Sequence, residues 1–201
     1  MQDRVSISNG NSKMGKIASV SLPAWTTCKR CGCWGKCYAK KLERIRPSVR
    51  NAYERNLSIL QNAPDTYWRE VEAAIMTSRF FRFHVSGDIP DKEYLNRMLD
   101  LAERNQHCQI LCFTKKFELV NEVLDEGRVI PSNLHLLFSA WRDLLMDNPY
   151  NLPTAHVRYR DGYTTALDEA VECGGNCTTC ALTDGGCWAL KRGEQVVFNE
   201  H

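Results

Sequence analysis

No stretch of about 18 apolar residues occurs in the 201-residue chain, so no membrane-spanning helix is expected. Behind Met1 come Gln2, Asp3 and Arg4 rather than the apolar core of a secretion leader, and we expect a cytoplasmic protein. Glycine-rich phosphate loops, the serine-hydrolase elbow and HExxH are all missing, which removes the chemistries those motifs carry. Excess charge is missing too. A formal net charge of +2 gives no argument for nucleic acid by itself.

What the chain does have is cysteine: ten residues, eight of them in two loops. The first loop holds Cys28, Cys31, Cys33 and Cys37, with Gly32 and Gly35 between them. Glycines beside cysteines let the backbone wrap until several sulfurs converge. In a reducing compartment clustered thiols read as metal ligands rather than disulfides. Zinc sites usually draw two CxxC knuckles from separate hairpins, whereas CxxCxCxxxC in one loop suits an iron–sulfur cube. We therefore expect a 4Fe–4S cluster here, ahead of zinc. From Lys29 to Arg55, nine Lys and Arg residues accompany only Glu43 and Glu54. That is a solvated helix face, or a field that offsets thiolates or attracts an anion.

The second loop holds Cys173, Cys177, Cys180 and Cys187, followed by Trp188. Its spacing leaves a second cluster and zinc equally open. Cys108 and Cys112 lie at and inside an apolar segment; Cys112 reads as a buried small hydrophobe, and neither reads as a ligand.

Periodicity supplies the fold class. Ile17–Leu22 reads as a strand, and Tyr38–Arg46 as a helix. Two further helices are expected, capped by Ser48 and by Asp65. Strands are expected at Phe80–Val85, Gln109–Thr114, Leu134–Ser139, Ala155–Tyr159 and Gln195–Phe198, and helices from Asp91, at Phe117–Glu126 and at Thr165–Val171. This alternation indicates an α/β fold: a partial (βα) barrel or open parallel sheet, with cysteine-rich metal loops after the first strand and near the C-terminus. We expect one domain over 1–201, with 1–16 a loose arm and 172–201 a cysteine-rich metal-binding segment.

Loops leaving the carboxyl ends of parallel strands build the site in such folds. The first cysteine loop, Ser86 to Asp88, Thr114–Lys115 and Ser139 to Trp141 should therefore share one rim. Ser86, Asp88, Lys115 and Ser139 are the candidate cofactor-binding residues; for Ser86–Asp88 a purely structural turn, with Asp88 capping the next helix, is the competing reading. His84 reads as a satisfied core histidine. His156 and Arg158 are candidates to line a cavity, and Lys115 and Arg142 to hold an anion. Trp25, Trp34, Trp141 and Trp188 are placed to shield a cluster from water.

Ser21-Leu22-Pro23-Ala24, Cys37-Tyr38-Ala39, Arg50 to Leu57, Ser86-Gly87-Asp88, Thr114-Lys115, Asn133 to Ser139, Cys187-Trp188 and Val197 to His201 together resemble the phage and prophage gene product 88 family. The resemblance spans most of the chain and implies the host cytoplasm for a phage-encoded protein. More distantly, a cysteine loop after the first strand and a glycine-containing turn after the second are similar to radical S-adenosylmethionine proteins. That likeness implies S-adenosylmethionine as a cofactor, but CxxCxCxxxC departs from their CxxxCxxC, which appears only in the second loop. The expected function is redox or radical chemistry, or electron transfer, at a 4Fe–4S cluster, with a small molecule or redox partner. The alternative is a metal-stabilised binding module for nucleic acid or a protein partner.

Overall fold

The computed structural model describes residues 4–28, 33 and 35–200. Eight strands form one open sheet in the order β1-β2-β3-β4-β5-β6-β8-β7. They are β1 (Ile7–Ser8), β2 (Ala18–Val20), β3 (Phe80–Phe83), β4 (Gln109–Thr114), β5 (Leu134–Ser139), β6 (Thr154–Arg158), β7 (Val171–Glu172) and β8 (Gln195–Asn199). All pairings are parallel except β1 with β2. The α/β expectation is met by this mostly parallel open sheet.

Up to β6 the strands lie side by side in chain order. Right-handed crossovers that always step towards the same edge must leave their helices on one face. Accordingly α3 (Pro47–Asn62), α4 (Pro64–Met76), α5 (Lys92–Arg104) and α6 (Phe117–Asp125) share one core with Phe81, Phe83, Ile110, Cys112, Leu134, Leu136 and Phe138. The alternate residues Leu111, Leu137, Ala155 and Val196 face the other way, into a second core with Met14, Ala181 and Trp188. Apolar residues on both faces are what a doubly covered parallel sheet requires.

Local chemistry sets the helix boundaries. Asp91 caps α5, its carboxylate accepting from the Tyr94 N–H at 2.8 Å, and Leu95, Met98, Leu99 and Ala102 are buried at helical spacing. Ser48 and Asp65 do not cap. Both helices begin one residue earlier, on Pro47 and Pro64, whose fixed φ suits the first helical position. Asn133 ties α5 to β4 and β5 by donating to the carbonyls of Ala102, Asn105 and Cys108.

Two further expectations fail. The segment Thr165–Val171 is not a helix: turns lead into the edge strand β7, where Val171 pairs with Val196. The arm is not loose over residues 4–16 either. The Val5 N–H donates to Glu70 at 2.7 Å, the Ser6 N–H to Asn56 at 2.7 Å, and Met14 is buried in the second core. The first cysteine loop therefore follows the second strand of the sheet. Among the described residues no helix is long and apolar enough to cross a membrane.

Candidate functional site

The carboxyl ends of β3 to β6, with β8 beside them, open into a cavity of 540 Å³. Its wall includes Cys28, Cys33 and Cys37 from the first loop and all four cysteines of the second. Ser86, Asp88, Lys115, Ser139 and Trp141 line it as well, so the expected rim is one physical surface. Cys31 and Trp34 lie outside the described residues.

The stems of the first loop are pinned to the turn after β3. Thr27, at the end of the short helix α1 (Ala24–Thr27), accepts from the Asp88 N–H at 3.1 Å. Cys28 follows directly. On the other side Cys37 precedes α2 (Tyr38–Ile45), and this helix carries Glu43. Glu43 is fully buried, and its Oε1 accepts from the Ser86 hydroxyl at 2.6 Å and the Ala24 N–H at 3.0 Å. Gly87 has φ +82, and a Cβ there would stand 2.6 Å from the Leu22 carbonyl oxygen, so the turn needs glycine.

Asp88 does not cap the following helix; Asp91 does. Instead Asp88 Oδ1 accepts from the Thr114 hydroxyl at 2.6 Å and the Ile89 N–H at 2.8 Å, while Oδ2 accepts from the Lys115 N–H at 3.0 Å. Burial pushes its carboxyl above the ordinary range, against the pull of these donors. Ser86 and Asp88 thus reach the cavity wall with their side chains committed to holding the loop and neighbouring strand ends. The Lys115 ammonium lies 6.0 Å from the Trp141 ring centre, and Ser139 is half-buried on the wall.

The second loop closes the sheet face opposite the helices. After β7, Cys177 opens α7 (Cys177–Leu182), with Asn176 as its cap. A single 3-10 turn, Gly186–Trp188, brings Cys187 back beside it. Cys173, Cys177, Cys180 and Cys187 carry free thiols and pack against the second core. Burial pushes Cys187 up to about 12, the neighbouring thiols adding to it and Arg82 opposing. Burial also raises Cys177. Four mutually influencing thiols beside Trp188 are a soft donor set that fits a thiophilic metal or cluster. Among the described residues, however, no three His, Cys, Asp or Glu side chains are placed to hold a single ion.

The remaining candidates divide, with His84, His156 and Trp188 also on the cavity wall. Cys112 is fully buried, as expected of a small hydrophobe, and so is Cys108; burial raises both thiols. His84 is buried but not satisfied: neither ring nitrogen has a partner among the described residues. Its φ of +60 turns the ring back against Phe83 and Tyr94, and burial lowers its pKa to about 3. His156 lines the cavity with both nitrogens engaged, by Thr154 at 2.9 Å and Thr165 at 2.8 Å. Arg158 pairs with Glu172 and Arg142 with Asp161, so neither offers an uncommitted charge. Trp188 is buried against Phe80 and His135, whereas Trp25 is 51% exposed.

Arg82 was not anticipated. It is the only charge in the apolar strand β3, and it faces the cavity 4.9 Å over the Phe113 ring. A lone charge inside a buried strand was the available signal.

Comparison with known proteins completes the picture. No curated protein and no solved structure matches the chain. The family described as gene product 88 matches residues 3–192, which take in both cysteine loops and every strand but β8. The chain belongs to the gene product 88 family.

Proposed function

We propose that this chain is an iron–sulfur protein in which Cys28, Cys31, Cys33 and Cys37 hold a 4Fe–4S cluster on the wall of a ligand-binding cavity. Cys173, Cys177, Cys180 and Cys187 hold a second cluster or a zinc ion. The observation that carries the reading is the meeting of seven described cysteines, from two distant loops, on one cavity at the strand ends. A bound cluster supplies one-electron chemistry there. The protein's own contribution is to fix the loop through Glu43, Ser86 and Asp88 and to limit water around the second loop with Trp188.

Anaerobic purification with iron, sulfide and zinc analysis tests this. Brown protein with matching iron and sulfide is expected. Electron paramagnetic resonance of the reduced sample, with and without S-adenosylmethionine, then distinguishes radical chemistry from electron transfer. Zinc without iron would sink the iron–sulfur reading.

A second reading rests on a groove beside the first loop, where Lys40, Lys41, Arg44 and Arg160 accompany Trp25 and Tyr159. In that reading the metals only brace the loops, and the groove engages nucleic acid. Salt-dependent binding of an oligonucleotide by a zinc-loaded, iron-free protein would favour it.

A further inference from the structure

Three cations meet aromatic rings around the cavity: Arg82 on Phe113 at 4.9 Å, Lys13 on Phe198 at 5.3 Å and Lys115 on Trp141 at 6.0 Å. All six residues line it, and Phe113 and Phe198 meet edge to face at 5.9 Å. Arg82 differs from the other two. Its Nε is fully buried without a hydrogen-bond partner among the described residues. The acids on the cavity wall are already engaged: Asp88 by Thr114 and Lys115, Glu172 by Arg158, Glu200 by Lys36. Arg82 as a whole is half-buried and no acid pairs with it among the described residues, so its guanidinium is placed to meet an anion that those residues do not supply.

We propose that the cavity binds a small organic anion, with its oxyanion head on Arg82 and its apolar body along Phe113 and Phe198. A guanidinium offers paired donors to a carboxylate or phosphate, and the rings offer an apolar wall beside them. The competing counter-charge is the second thiol set, because the Arg82 charge also bears on Cys177 and Cys187. The aromatic wall favours a ligand with a body, which a metal counter-ion would not need. This proposal takes from the function proposed above only the location of the ligand site, and it is independent of which metal binds.

The test titrates purified protein with 8-anilinonaphthalene-1-sulfonate and, separately, with the uncharged N-phenyl-1-naphthylamine, following fluorescence. Saturable binding of both is expected. Arg82→Gln should weaken the sulfonate by about tenfold or more, the loss expected of a charged hydrogen-bonding group, while changing the neutral dye by less than about twofold. Arg82→Lys should retain part of the affinity, and Lys92→Gln, on the helical face, should change nothing. Arg82→Met replaces the buried charge with an apolar chain of similar reach and serves if the Gln variant does not fold.

Equal loss of both dyes, or no loss of the sulfonate, overturns the proposal. Iron and zinc are measured in the same samples. Parallel loss of metal and sulfonate binding in the Arg82 variants would mean that Arg82 serves the metal site, which also overturns it. Wild-type protein lacking both metals but retaining charge-selective dye binding would remove the metal reading and leave the anion site standing.

Discussion

Thr178 donates its hydroxyl to the Met14 carbonyl at 2.7 Å, joining residues 164 positions apart. The Cys177 N–H donates to the Lys13 carbonyl beside it at 3.0 Å. The second cysteine loop is therefore docked on the amino-terminal segment as well as on the sheet. Gly15, with φ +63, makes room: a Cβ there would stand 2.0 Å from Thr178 Oγ1. Gly15→Ala is expected to cost about 1–3 kcal/mol in urea unfolding and to lower the metal held by the second loop. Unchanged stability and metal content would show that α7 does not depend on this docking.

Glu43 holds the first loop from beneath. Glu43→Ala leaves the Ser86 hydroxyl and the Ala24 N–H without their acceptor in a buried site. The expected loss is about 2–4 kcal/mol, against about 1 kcal/mol for Ser86→Ala, which removes one donor. Denaturant midpoints of the two variants give the comparison. A larger effect from Ser86→Ala would reverse the assignment of Glu43 as the hub.

Acid should weaken the fold through His84. Its folded pKa is held at about 3 by burial, below its ordinary 6.5. Between those values the unfolded chain binds a proton that the native state does not, so stability falls as pH falls. The contribution is complete above about pH 6.5 and is lost progressively towards pH 3. His156 and His135 are also lowered by burial and act in the same direction. His84→Asn, which tolerates positive φ, should flatten the acid limb of a stability–pH curve. An unchanged slope would mean His84 does not titrate on unfolding.

The cysteines should sort by variant. Cys33→Ala or Cys37→Ala is expected to remove the metal proposed for the first loop, and Cys180→Ala that proposed for the second, each sparing the other site. Cys112→Ala should leave metal content intact and cost about 1 kcal/mol as a small core truncation. Metal analysis per chain decides it. Point variants are the right tool, because deleting 173–201 would also remove β8 from between β6 and β7.

Much of the fold was legible locally because each signal is short-range. The β4 and β5 boundaries follow from apolar runs, and the start of α5 from Asp91 as a cap. The helices after Ala63 and Arg46 were placed correctly but given the wrong starts, since Ser and Asp compete as caps with a proline that needs none. The segment from Thr165 to Val171 misled because its composition allows a helix. Hydrogen bonds from residues far away decide otherwise: Gln195 accepts from the Leu167 N–H at 2.9 Å, and β8 pairs with Val171. The same holds for the arm, whose order comes from Glu70 and Asn56.

By itself the sequence determined the parallel α/β architecture, the placing of Cys112 in the core, and the soft-donor character of the two loops. These depend on residue type and spacing, which are local properties. Only the tertiary structure decided that both loops face one cavity, that Ser86 and Asp88 brace the rim, and that Arg82 sits there with no acid paired to it among the described residues. Those facts depend on which side of β3 each residue faces and on β8 sliding between β6 and β7. No spacing along the chain encodes that arrangement; packing of the whole sheet does.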